Sequence, residues 1–123
     1  LLIVSQVLIR TLCPQCKESY HPPKTILEEF ASEHLPPSED ILLYQKNGCK
    51  ACNNTGFKGR VALAESLEVN STIKYLIAAT ASEKEILDAG VKDGLNSLRE
   101  NGFRLVREGF TSIDEVIRVT ALE

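Results

Sequence analysis

The spacing of apolar residues predicts a β-strand in the middle of the chain. Within 60–69 apolar side chains occupy alternate positions, as is typical of a half-buried strand. The apolar side is formed by Val61, Leu63, Leu67 and Val69. Glu65 falls on that same side, so we expect either a buried carboxylate with a partner or a bend in the strand. Because a buried charge needs a partner, we favour a structural ion pair over a catalytic role for Glu65.

The first twelve residues are predicted to be the end of a buried helix. Val4, Leu8 and Leu12 recur at helical spacing, and Pro14 ends the pattern. The apolar stretch is far shorter than the roughly 20 residues that span a bilayer. Because the chain has no methionine and opens inside this apolar segment, we expect it to be a fragment of a longer protein.

Between residues 17 and 48 the pattern predicts a short helix and a short strand. The helix is expected over 24–35, where apolar residues lie along one face, and Thr25 and Glu28 have capping-box spacing. Pro36 and Pro37 end it. The apolar residues 41–44 are a strand candidate.

Beyond residue 70 the periodicity predicts four helices. The expected capping residues are Ser71 for the first helix, Ser82 with Glu85 for the second, and Ser112 with Glu115 for the fourth. The third helix is marked by Leu95, Leu98, Gly102, Leu105 and Val106 and is ended by Gly109.

Four cysteines, the only ones in the chain, form two Cys-x-x-Cys pairs: Cys13 with Cys16, and Cys49 with Cys52. Two such knuckles supply the four thiolates that a tetrahedral zinc ion takes, so we expect one structural zinc with these four ligands. The alternatives are two disulfides, four unrelated buried thiols, or an iron or redox use of the same pairs. His21 and His34 lie between the pairs and could replace a thiolate, but four cysteines already complete the shell. The prediction is thus an α+β fold: a small four-cysteine zinc-binding module with short strands, then a C-terminal helical bundle.

Composition and loop spacing reduce the number of possible functions. The net charge is −3, 43% of residues are hydrophobic and 25% are charged, with no run of lysine and arginine, which argues against nucleic acid as a partner. Residues 53–60 are rich in glycine and asparagine but lack phosphate-loop spacing, so no nucleotide site is expected. A stand-alone zinc ribbon that binds protein or nucleic acid and a dithiol redox protein remain the alternative functions.

Three ordered motifs resemble the GspE/PilB-type ATPases of type II secretion and type IV pilus assembly. The first two enclose the cysteines, in 6–16 and in 48–60, and read QVLIRTLCPQC and GCKACNNTGFKGR. The third set lies downstream and comprises Glu65-Ser66-Leu67, residues 94–102 (GLNSLRENG) and residues 108–116 (EGFTSIDEV). One position departs from the family pattern, because Val7 stands where the family often has an arginine.

The resemblance implies the C-terminal region of a hexameric cytoplasmic motor at the cytoplasmic face of the inner membrane. It implies a zinc-binding module over 1–70, in which 1–12 end a helix of the preceding ATPase core, and a helical subdomain over 71–123. ATP and Mg²⁺ would bind only in the missing upstream domain, so no catalytic or cofactor-binding residue is expected here. Its implied partners are neighbouring ATPase subunits and an inner-membrane platform or other machinery proteins, through which it would be peripheral to the membrane.

Overall fold

The computed structural model describes residues 2–37, 40–92 and 97–121. These residues form an α+β fold, as predicted, with two antiparallel strand pairs and five α-helices. The strands are β1 (Leu2–Leu12), β2 (Glu18–Tyr20), β3 (Leu43–Gln45) and β4 (Phe57–Glu68). The helices are α1 (Lys24–Glu29), α2 (Ser71–Ala78), α3 (Glu83–Lys92), α4 (Leu98–Arg107) and α5 (Ile113–Thr120).

The first segment is a strand, so the predicted helix over 1–12 is wrong. β1 pairs antiparallel with β4 from Leu2 opposite Glu68 to Arg10 opposite Arg60, with a register shift before Leu12. A spacing of four fits two strand periods as well as one helical turn, so Val4 and Leu8 lie on one face in either conformation. The β-branched content of the segment favours the strand. That face is the outward one, and Val4 and Leu8 are each 58% exposed.

The insertion between the cysteine pairs is folded around a small second sheet. β2 pairs antiparallel with β3, with Ser19 opposite Tyr44. β2 was not predicted, and β3 begins two residues later than expected. α1 ends at Glu29, well before the predicted end at Leu35, and Pro23 is its N-cap, so the capping box of Thr25 and Glu28 is wrong.

The four predicted C-terminal helices are present, with small corrections at their starts. Asn70, and not Ser71, caps α2 by accepting a hydrogen bond from the Ile73 N–H. Ser82 accepts from the Glu85 N–H as predicted, and Ser112 caps α5. α4 is described from Leu98 with Ser97 as its N-cap, and the predicted core residue Leu95 lies outside the described residues.

The main core is shared by residues before and after position 70. Eleven buried residues form it: Ile9, Leu27, Leu35, Ile41, Leu43, Leu63, Leu98, Phe103, Val106, Ile113 and Val116. A smaller cluster of Leu67, Val69 and Ile73 packs against α3 through Ile86 and Ala89. Gly102 permits the close approach of α4 and α5, since a Cβ there would lie 2.7 Å from Val116 Cγ1. The division into 1–70 and 71–123 stays a prediction.

Candidate metal centre

The four cysteine sulfurs meet at one point. Their Sγ atoms all lie within 4.8 Å of one another. Three of the pairs, Cys13 with Cys49, Cys16 with Cys52, and Cys49 with Cys52, are 3.8 Å apart. Four sulfurs at about 2.3 Å from a central zinc in a tetrahedron would be about 3.8 Å apart. The donor set and its spacing therefore fit a tetrahedral metal ion of the zinc type.

The second knuckle is shaped by its own backbone. Lys50–Cys52 form a single turn of 3-10 helix, and Asn53 and Asn54 follow with φ of 54° and 62°. Asparagine tolerates this left-handed region better than most residues. The Asn54 N–H returns to the Cys49 carbonyl at 2.8 Å, which closes the knuckle. The glycine- and asparagine-rich segment 53–60, whose composition predicts turns, does turn at 53–56, but 57–60 already belong to β4.

Backbone N–H groups point at one of the sulfurs. Cys52 Sγ accepts hydrogen bonds from the N–H groups of Cys49 and Gly56, both at 3.3 Å. Burial would raise the pKa of Cys52, but these donors and the neighbouring thiols outweigh it and lower the pKa to about 6. In the same cluster, burial together with the adjacent thiols raises the pKa of Cys16 to about 12. The N–H donors favour the thiolate form, which is the form that binds metal.

The first knuckle follows directly from the end of β1. The Cys13 N–H donates to the Gly56 carbonyl at 2.9 Å, which ties the first knuckle to the second. The Lys17 N–H donates to the Cys13 carbonyl at 3.0 Å and closes the turn. Cys13 is fully buried, and Cys16 is half-buried. Both pairs predicted from the sequence are thus brought together in space.

The two histidines lie away from this cluster. The His21 ring contacts the Ile41 carbonyl and the Asp40 carboxylate, at 3.3 and 3.2 Å. The His34 ring lies 3.8 Å from a carboxylate oxygen of Glu100 on α4. Glu33, His34 and Glu100 form a second, more open group whose side-chain atoms could meet at one ion. Among the described residues, the cysteine cluster is built from thiols alone.

Sequence reasoning missed an ion cluster beside the first knuckle. Glu115 on α5 accepts hydrogen bonds from the Arg10 and Arg118 side chains at 2.8–3.0 Å, and from the Arg10 backbone N–H at 2.9 Å. Its carboxylate is 1% exposed. Burial would raise the pKa of Glu115, but the bonds from Arg118 and Arg10 outweigh it and lower the pKa to about 2. The spacing of Ser112 and Glu115 predicted a capping role for this carboxylate, which instead faces β1.

Glu65 has a structural partner of a different kind from the one expected. Its carboxylate accepts a hydrogen bond from the Leu98 N–H at 2.6 Å, at the start of α4. A carboxylate is stabilised at a helix N-terminus by the unpaired N–H groups and the helix dipole. Glu65 therefore joins β4 to α4, a contact that no local sequence pattern could reveal.

The four thiols lie beyond the end of the β1–β4 ribbon, in a protein whose core is completed by helices. Four thiolates fill a tetrahedral shell, so this arrangement is typical of a structural metal centre and not of an open catalytic one. A family model described as "Type II/IV secretion system protein" matches residues 1–118, and the chain belongs to this family. The resemblance to GspE/PilB-type ATPases is thereby confirmed.

Individual relatives agree with the family. The chain is 37% identical over 118 residues to the Type II secretion system ATPase E of Vibrio cholerae, a match that covers 96% of this chain and 23% of the relative. It is 35% identical to the Type IV pilus assembly ATPase PilB of Myxococcus xanthus, covering 98% of this chain and 21% of the relative. A PilB from Thermus thermophilus is also 35% identical, with 96% of this chain and 13% of that protein covered. The chain thus spans a quarter or less of the length of these relatives.

Across residues 2–37, 40–92 and 97–121, no helix combines the length and apolar character needed to cross a membrane.

Proposed function

We propose that this chain is the metal-binding and C-terminal region of a type II secretion or type IV pilus assembly ATPase, and that it serves structure and docking. The observation that carries the proposal is the match over residues 1–118, which includes both cysteine pairs but only a small part of each relative. ATP hydrolysis then belongs to the rest of the motor, together with its ATP and Mg²⁺. The motor is a cytoplasmic hexamer at the inner membrane, where neighbouring subunits and platform proteins are the partners.

The metal in this proposal is one structural zinc held by Cys13, Cys16, Cys49 and Cys52. The supporting facts are the mutual distances of the four sulfurs and the N–H donors at Cys52. Zinc coordination by both pairs ties the two knuckles together and closes the long loop between them. Elemental analysis of protein purified under reducing conditions tests this, with about one zinc per chain expected. A folded protein with no bound metal would contradict it.

The outward face of the β1–β4 sheet supports the docking role. Leu2, Val4 and Leu8 lie on this face and are 62%, 58% and 58% exposed. Leu8 lies opposite the exposed Ala62, whereas Val4 lies opposite Ser66 and Leu2 opposite Glu68. Large exposed apolar side chains grouped on one face mark interaction sites in proteins, and a two-stranded ribbon gains stability by packing against further structure. The partner of this face is the remainder of the same ATPase polypeptide.

A charged substitution on this face tests docking without disturbing the fold of the chain. Leu8→Glu in the isolated chain should change stability by no more than about 0.5 kcal/mol, because the position is exposed. In the full-length ATPase the same substitution should strongly reduce the yield of assembled oligomer, measured by gel filtration with light scattering. Tyr75→Glu is the control, since Tyr75 on α2 is 72% exposed and away from the sheet. Equal effects of the two substitutions on assembly would exclude docking through this face.

Two experiments test whether ATP hydrolysis belongs to the part of the motor outside this chain. Calorimetric titration of the 123-residue chain with ATP and Mg²⁺ should give no saturable binding, because no stretch has phosphate-loop spacing. In the full-length motor, Cys49→Ser should impair secretion or piliation more than ATP turnover per assembled hexamer. Loss of turnover in intact hexamers would show that the zinc module takes part in the chemistry.

A further inference from the structure

The two cysteine pairs are supported in different ways. The second pair is held by its own neighbours, since the bonds to the Cys49 carbonyl and the Cys52 sulfur come from within residues 49–56. Thr55 Oγ1 also donates to the Cys52 carbonyl at 2.7 Å. This knuckle therefore requires little from the rest of the molecule.

The first pair is held from a distance by the α4–α5 turn, defined here as residues 109–112. The Leu12 N–H, one residue before Cys13, donates to the Phe110 carbonyl at 2.8 Å. The Thr111 hydroxyl donates to the Arg10 carbonyl at 2.8 Å, across 101 positions of sequence. On the far side of the knuckle, Lys17 Nζ donates to the Gly109 carbonyl at 2.9 Å. The first knuckle is thus bonded to the turn on both sides.

Burial shows that these contacts are part of a packed interface. Thr111 is 0% exposed, and so is Cys13. Gly109 lies close to the Tyr44 ring, because a Cβ at Gly109 would be 3.2 Å from two ring carbons. Lys17 Nζ lies over the same ring, 4.5 Å from its centre. A shift of the turn would therefore move the end of β1 and, with it, Cys13.

We propose that Thr111 is a positioning residue for the metal centre, and that the α4–α5 turn sets the affinity of the four-cysteine site. The inference rests on the proposed zinc site. Thr111 touches no sulfur; it fixes the backbone of Arg10, three residues before Cys13. Groups outside the ligand shell that orient the ligands commonly change metal affinity by 10–100-fold when they are removed. By linkage, metal bound at the cysteines stabilises the turn by the same free energy.

Thr111→Val tests this, because valine has the same shape and lacks the hydroxyl. Zinc affinity of the 123-residue chain is measured by competition with a chromophoric chelator, and Co²⁺ binding is followed by its thiolate charge-transfer absorption. We expect Thr111→Val to bind zinc about tenfold more weakly. Thr111→Ser keeps the hydroxyl, so its zinc affinity should stay within about threefold of that of the unaltered protein. This change is smaller than the roughly tenfold loss of affinity expected for Thr111→Val.

Thr120→Val is the matched control. Thr120 is also buried in α5, at 2% exposed, and its hydroxyl donates to the Val116 carbonyl at 2.6 Å, far from the cysteines. This variant should lose stability without losing zinc affinity. Equal losses of affinity in Thr111→Val and Thr120→Val would overturn the positioning role, and so would an unchanged affinity in Thr111→Val.

Hydrogen exchange of the unaltered protein provides a measurement that does not depend on a variant folding. Addition of zinc to the metal-free chain should slow exchange at Leu12 and across 110–116 more than in α2. Unchanged exchange in the turn would contradict the inference while leaving the zinc site intact. If the unaltered chain binds no zinc at all, both the proposed site and this inference fail.

Discussion

At the scale of single residues, Glu115 shows how a local pattern can indicate the right position and the wrong role. Ser112 and Glu115 have capping-box spacing, and Ser112 does cap α5. The Glu115 side chain does not turn back to the cap, because two guanidinium groups and a backbone N–H of β1 offer stronger bonds to a buried carboxylate. Arg118 lies three residues further along α5, but Arg10 comes from a strand more than 100 positions away, and only the tertiary structure brings it to Glu115.

Glu115→Gln should destabilise the protein at neutral pH by about 2–3 kcal/mol. The substitution removes the charge that pairs with Arg10 and Arg118, and hydrogen bonds to charged groups contribute about 1.5–3 kcal/mol. Both arginine side chains stay partly exposed, at 43% and 55%, which keeps the loss below that of a fully buried triad. Urea unfolding at pH 7 of both proteins measures the difference.

The pH dependence gives a second test of the same residue. The pKa of Glu115 in the folded protein is about 2, below the 4.5 of an unperturbed glutamate. The ionised carboxylate therefore contributes its full stabilisation above about pH 4.5, and this stabilisation is lost as the pH falls through about 2. The difference between the two proteins should therefore shrink between about pH 5 and pH 2. Repeating the measurement at two zinc concentrations separates the release of metal at acid pH from the titration of Glu115. A difference that stays constant down to pH 2 would show that Glu115 is not ionised in the way described.

At the scale of elements, the helices beyond residue 70 and the strand β4 were predictable, and β1 was not. The C-terminal helices carry strong local signals, since serine residues stand at the starts of α3 and α5 and apolar side chains recur at helical spacing. β1 is apolar on both faces, so its period is ambiguous without its partner strand. The cysteine pairs were found from spacing alone, but the α4–α5 turn that supports the first pair leaves no local signature.

Two helix ends with the same geometry and different residues lead to opposite predictions. Thr80, two residues after the end of α2, has φ 53°, and Gly109, two residues after the end of α4, has φ 87°. In both cases the next residue returns a hydrogen bond to the last turn, from Ala81 to Leu76 and from Phe110 to Leu105. This is the Schellman arrangement, which favours glycine because a β-branched side chain is strained at positive φ.

Thr80→Gly should therefore stabilise the protein by about 0.5–1 kcal/mol, the relief of left-handed strain less the greater backbone entropy of glycine. Gly109→Ala should destabilise it by about 1–2 kcal/mol, since the new Cβ is strained and meets the Tyr44 ring. Urea midpoints of the two variants and the parent measure both effects. A Thr80→Gly variant less stable than the parent would mean that the threonine contributes contacts beyond its backbone geometry.

At the scale of the whole molecule, the arrangement of the core bears on whether the chain is one folding unit or two. Of the eleven buried residues in the main core, six precede position 70 and five follow it. α5 contacts β1, α4 contacts β3 and β4, and the Arg10–Glu115 cluster and the α4–α5 turn add polar bonds between the same elements. The smaller cluster also crosses position 70, because Leu67 and Val69 precede it and Ile73 on α2 follows it.

The segment 71–123 should therefore not fold when it is produced alone, although its helices have caps and apolar faces of their own. Without the first 70 residues, α4 and α5 lose Ile9, Leu63 and four further apolar partners in the core. Burial of one such side chain stabilises a protein by roughly 1.5–3 kcal/mol. The loss of all six partners is therefore comparable with the whole free energy of unfolding of a typical domain, about 5–15 kcal/mol.

Circular dichroism during heating and the dispersion of amide NMR signals provide the measurement, with the zinc-loaded 123-residue chain as the control. Weak helical signal without a cooperative transition is the expected result. A sharp thermal transition in the isolated segment would instead establish residues 71–123 as an independent subdomain and place the boundary at position 70.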